Sequence, residues 1–218
     1  MIRDGNINRQ HHYWDNLARE AIFTHPFYLN KIQKFISTDS KILDYGCGYG
    51  RICQILWGKG YRNLMGVDIS PKMIRRGNSL YPHLMLVQLD PDTLWSESDR
   101  FNLVILFSVL TCIPELAALQ ELLKRIHQVM APQGYLYISD TLVQTDPRNV
   151  KRYEQFFGEY RTYGVFRLPE GGIFRHFLVD DIYRLTAHFE PVFTDLIDVM
   201  TLHHHPAKGF QYFCKKVS

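Results

Sequence analysis

Lys41-Ile-Leu-Asp-Tyr-Gly-Cys-Gly-Tyr-Gly-Arg51 reads as a short buried strand, an acid, three glycines at alternate positions and the start of a helix. Twenty-two residues after Gly46 stands Asp68, in Gly66-Val-Asp-Ile-Ser70, a second strand ending on an acid. A glycine turn with an acid at this distance is how an α/β sheet holds a nucleoside. The glycines let backbone approach a ligand, and the acid accepts hydrogen bonds from ribose hydroxyls.

From Lys41 onward, strands and helices alternate. Strands are predicted at 41–45, 63–68, 84–89, 101–107 and 134–139, with helices at 50–58, 71–80 and 115–130. Ser70 is a helix cap and Pro71 suits the first helical position. Leu116, Leu119, Leu122, Leu123, Ile126 and Met130 recur at helical spacing before Pro132 and Gly134 stop the helix. The expected fold is α/β, a doubly wound, mostly parallel seven-stranded sheet with helices on both faces. Residues 8–37 look helical, broken at Pro26, so 1–38 are expected to form an N-terminal helical cover.

The pattern changes after Thr141. Residues 147–177 carry eight aromatics, and Val150, Tyr153, Phe157 and Tyr160 would share one helical face. We expect a cap insertion over 141–179 within a single domain, then a helix at about 180–188. The stretches Pro191 to Met200 and Phe210 to Lys216 read as an antiparallel hairpin, joined by a turn containing His203-His-His-Pro-Ala-Lys-Gly209.

At 218 residues the chain is most simply one domain with a full core. Its formal charge of +3 is spread along the sequence and gives no argument for a nucleic-acid partner. Cys47, Cys53, Cys112 and Cys214 show no CxxC pairing, so free thiols are expected rather than disulfides or a zinc site. The start has no apolar signal segment, and the most apolar window, Leu103 to Leu110, is too short to cross a bilayer. A cytoplasmic protein with no membrane partner is the expectation. Oligomeric state leaves no mark in the sequence.

These motifs together resemble the class I S-adenosylmethionine (SAM) methyltransferases, over about Tyr13 to Asp140. An acid two residues before Gly-x-Gly-x-Gly stands as Asp44-Tyr-Gly-Cys-Gly-Tyr-Gly50, and the second motif as Val67-Asp68-Ile69-Ser70. Gln88-Leu89-Asp90, Phe101 to Ser108 and Ala131 to Asp140 match the later motifs, with Asn102 where the family usually has Asp. The resemblance implies an enzyme with SAM as cofactor. Gly46, Cys47, Gly48 and Gly50 would line its methionine portion. Asp44 would shape the loop, with the amino group in reach directly or through water. Asp68 would take the ribose hydroxyls, Ile69 would lie against adenine, and Asp90 would meet the adenine amine. Phe107 would offer a carbonyl near the methionine amine, and Tyr13 would begin the covering helix. A nicotinamide enzyme is the main competitor, but its fingerprint is G-x-G-x-x-G, and a pyrophosphate beside Asp44 would be repelled.

The sulfonium makes its methyl group electrophilic already, so the protein mainly aligns a nucleophile and excludes water. Ser108-Val-Leu-Thr-Cys-Ile-Pro114 holds neither the Asn/Asp-Pro-Pro-aromatic of adenine amino methylation nor a Pro-Cys pair. Cys112 reads as a buried apolar residue rather than a nucleophile. The expected acceptor is a small molecule methylated on oxygen or nitrogen. Methylation of a protein or RNA, or SAM binding without turnover, are the alternatives. The candidates for a base are His176 and His205. His203, His204 and His205 could instead be a polar surface turn or hold a metal, and no metal is assigned. Adjacent histidines in a strand alternate faces, so at most two would converge. His11 and His12 precede the N-terminal aromatic pair and could close over the site. The basic and aromatic residues of 151–177 read more simply as a cap than as a nucleic-acid surface.

Overall fold

The computed structural model describes residues 4–89 and 100–217, with side chains from Gln10 onward. Strands β1 (Ile42–Tyr45), β2 (Leu64–Asp68), β3 (Leu86–Gln88), β4 (Phe101–Phe107) and β5 (Met130–Thr141) pair in parallel. Two short strands, β6 (Val165–Arg167) and β7 (Ile173–Arg175), form a separate antiparallel pair. The last two, β8 (Phe189–Met200) and β9 (Pro206–Lys216), complete a seven-stranded sheet of order β3-β2-β1-β4-β5-β9-β8. β9 is antiparallel to both β5 and β8, so β8 runs with β1–β5. The turn at 201–205 therefore opens at the same carboxyl edge as the glycine loop.

The helices are α1 (Asp4–Leu17), α2 (Leu29–Ile32), α3 (Arg51–Gly58), α4 (Pro71–Leu80), α5 (Leu116–Val129), α6 (Pro147–Tyr160) and α7 (Val179–Leu185). Period-two alternation along β4 shows why the sheet needs both layers. Leu103, Ile105 and Phe107 pack with Ile32, Ile52 and Leu56, while Val104 and Leu106 pack with Leu119, Leu123 and Ile126 on the other face. Ser70 caps α4 by accepting the Met73 amide at 3.1 Å, and Pro71 opens the helix as predicted. Among the described residues no helix is long and apolar enough to cross a membrane.

Two sequence expectations need correction. The helical reading of 8–37 holds only for α1 and the four residues of α2; residues 18–28 run as an irregular strap. Long-range side chains satisfy the strap's carbonyls instead of a helical ladder. Arg76 Nη1 donates to Ala18 and Ala21, Arg51 Nη2 to His25, and Gln211 Nε2 to Pro26. In the cap, Phe157 is exposed and the inward face of α6 follows Asn149, Tyr153, Phe156 and Tyr160. Tyr153 is fully buried and packs on Phe166 of the β6–β7 pair, which the sequence reading did not anticipate.

Candidate functional site

The carboxyl edge of the sheet opens into a cavity of about 390 Å³. Tyr13, Asp44, Gly46, Cys47, Gly48, Asp68, Ile69 and Phe107 all border it. Gly50 does not; it opens α3 at φ +82°, and a Cβ there would stand 2.7 Å from Leu86. Asp90 lies outside the described residues.

The glycine loop wraps back onto β2. Gly48 takes φ +57°, and a Cβ on it would meet the Phe23 ring at 2.2 Å, so no side chain fits. Its amide donates to Asp68 Oδ2 at 2.8 Å, and the Ser70 amide donates to Oδ1 at 2.8 Å. A carboxylate offers about four lone-pair sites. Two remain at Asp68 for the two hydroxyls of a ribose.

Asp44 is 2 % exposed, and burial pushes its carboxyl up to about 7. Its near partner is the Cys53 thiol, 3.5 Å from Oδ2. Arg51 lies close enough to oppose that rise, and its Nε has no hydrogen-bond partner among the described residues. A zwitterionic amino-acid tail fits this end, with its ammonium toward Asp44 and its carboxylate toward Arg51. The sequence reading did not single out Arg51, which lines the cavity and directly follows the last glycine.

The roof comes from α1. Asp15 Oδ1 accepts the Ser70 hydroxyl at 2.5 Å and the Lys72 amide at 3.3 Å, latching α1 to the start of α4. Gln10 Nε2 donates to the carbonyls of Ile173 and, at 3.0 Å, Cys112. Tyr13 meets Phe174 edge to face at 5.4 Å, and Trp14 meets Phe23 at 6.1 Å. His11 pairs with Asp15 at 3.8 Å, and neither His11 nor His12 borders the cavity.

His25, on the strap, was not singled out in the sequence. Its Nδ1 lies 2.7 Å from Ser108 Oγ, where Ser108 holds a left-handed φ of +56° at the end of β4. His25 lines the cavity, and its Nε2 is buried without a partner among the described residues, 3.5 Å from where a Cβ on Gly209 would stand. Burial, then the charge of Arg51, pulls this imidazole down to about 4, so it is neutral at pH 7.

His176 is also buried, 2.5 Å from the Tyr153 hydroxyl through Nδ1. That hydroxyl also accepts the Gln144 amide at 3.2 Å. Of the turn histidines, His203 and His205 border the cavity, while His204 is exposed at φ +57°. Cys112 lies against the cavity with its thiol raised well above the ordinary range by burial.

A family model described as a methyltransferase domain matches residues 13–189. The chain belongs to the class I SAM-dependent methyltransferases. A SAM-dependent methyltransferase from Methanosarcina mazei superposes with a TM-score of 0.79 at 25% identity, covering 88% of this chain and 98% of that one. A Burkholderia thailandensis 1,6-didemethyltoxoflavin-N1-methyltransferase, solved with its substrate and S-adenosylhomocysteine (SAH), shares the fold. Its TM-score is 0.59 at 20% identity, covering 83% of this chain and 72% of that one. In sequence, the mouse eEF1A lysine and N-terminal methyltransferase is 29% identical over 119 residues. That match covers 50% of this methyltransferase but only 17% of the mouse protein.

Proposed function

We propose that this methyltransferase moves the methyl group of SAM to an oxygen or nitrogen of a small molecule. The observation that carries the reading is enclosure. The roof of α1 and the cap of α6 with β6–β7 meet through Gln10 and the Tyr13–Phe174 contact, over a cavity of ligand size. When bound, SAM supplies an already activated methyl group. The protein's own work is binding, orientation and exclusion of water.

In this reading Asp68 accepts the ribose hydroxyls, Ile69 flanks the adenine, and the backbone of Gly46, Cys47 and Gly48 follows the methionine portion. Asp44 takes the ammonium and Arg51 the carboxylate. Phe107 and Tyr13 border the same cavity. His25 replaces His176 as the group that accepts a proton from the acceptor, because its Nε2 is the unpartnered buried nitrogen. For that lone pair to be free, Nδ1 carries the hydrogen and donates to Ser108. His176, its Nδ1 taken up by the Tyr153 hydroxyl, offers bound ligand its Nε2. His205 stands at the rim.

The test is SAH release on incubation with SAM and a metabolite extract. Turnover that survives nuclease and protease treatment of the extract supports a small acceptor; its loss with protease overturns this in favour of a protein. Protein methylation is the second reading, and the mouse relative's name is what favours it.

A further inference from the structure

The charged side chains around the cavity fall into two groups. Asp44 and Asp68 stand at the glycine-loop end, and Glu121 is held by Arg125 at 2.9 Å. The opposite wall, beneath the cap, takes its positive charge from two arginines and is flanked by histidines. Arg148 and Arg152 reach it from α6, His176 from the segment after β7, and His203 and His205 from the hairpin turn. The counter-charge nearest this group is Asp146, 3.8 Å from Arg148 and already engaged in capping α6 through the Asn149 amide.

Arg152 shows that the wall is built rather than incidental. Its guanidinium lies 3.6 Å from the centroid of the Phe166 ring, which holds it flat. Its Nε is buried and has no hydrogen-bond partner among the described residues. A stacked, part-desolvated guanidinium with an unused donor is costly unless something accepts from it. The groups also share one field. His176 is pulled down to about 3, first by burial and then by Arg152 and Arg148. His205 is lowered by desolvation and then by Arg148, His203 and Arg152.

We infer that the methyl acceptor carries an anionic group, a carboxylate or a phosphate ester, which Arg148 and Arg152 bind beneath the cap while its apolar body lies against Phe166 and Phe174. The inference rests on the methyl-transfer reading of the same cavity. An anion there would take the free Nε of Arg152, and its charge would be met by two guanidinium groups. It would also sit apart from Asp44 and Asp68, whose carboxylates would repel it.

The experiment titrates the SAH-loaded protein with phenyl phosphate, benzoate and the uncharged benzyl alcohol. We expect one of the two anions to bind at least about tenfold tighter than benzyl alcohol. A preference for phenyl phosphate identifies a phosphate acceptor, and a preference for benzoate a carboxylate. Arg152→Met should erase the preference with SAH affinity unchanged. Arg148→Glu, at an exposed position where folding is not at stake, should do the same. Equal binding of benzyl alcohol, failure of both anions to bind a protein that holds SAH, or a preference that survives both substitutions overturns the inference. Failure to bind SAH itself would instead sink the methyl-transfer reading.

Discussion

Asp44 is a buried carboxyl on the cavity wall, and cofactor affinity should therefore depend on pH. Burial raises its pKa to about 7. An ammonium beside it favours the charged form, so binding below that pH must expel a proton. SAH affinity should hold steady above about pH 7 and fall by up to about tenfold per unit below it. Calorimetry across that range checks the slope, and Asp44→Asn should flatten it; a wild-type affinity that ignores pH removes Asp44 from the ammonium site. Asp68→Ala should weaken SAH binding by about 1–3 kcal/mol, the scale of hydrogen bonds lost to a charged group. His25→Gln should lower kcat by about a hundredfold with SAH affinity intact, and unchanged kcat would return the proton to solvent. The places of Asp44 and Asp68 at the cavity were legible because each stands at or next to the end of a strand, beside glycines or a helix cap. His25 was not, because its direction is set by Ser108 and Arg51 from elsewhere in the chain.

At the scale of elements, the junction of α1 with α4 is the one to probe. Ser70 caps α4 and at the same time donates to Asp15, so one hydroxyl serves both the helix start and the roof. Ser70→Ala should cost about 1 kcal/mol of stability through the cap. Asp15→Ala leaves the cap and should instead free α1, seen as faster proteolysis within 10–28 and a severalfold loss of SAH affinity at nearly unchanged Tm. Equal proteolysis of both proteins would show that Gln10 and Tyr13 hold α1 without the latch. The span of α4 could be read to the residue because Ser70-Pro71 carries its own local signal. The strap at 18–28 could not, because the groups that satisfy its carbonyls are Arg51, Arg76 and Gln211, remote in sequence. In the cap, helical periodicity alone gave Phe157 an inward place. The β6–β7 pair, through Phe166 on Tyr153, turned α6 so that Phe156 faces in instead.

For the whole molecule, ligand binding and folding share one cavity. A ligand at about a hundred times its Kd stabilises the native state by about 2.7 kcal/mol. For a chain of this size SAH should therefore raise Tm by about 5–10 °C; a shift with NADH and none with SAH would reassign the glycine loop. The mostly parallel character of the sheet followed from alternating strands and helices, whereas the β6–β7 pair lay hidden among aromatics that read as helix face or core alike. The hairpin turn and the strap meet directly, since Thr24 Oγ1 donates to the Met200 carbonyl at 2.6 Å across 176 positions of sequence. A nascent chain that has delivered β1–β5 still lacks the turn that completes the pocket wall. It therefore cannot close its pocket until the β8–β9 hairpin has emerged and folded back onto β5.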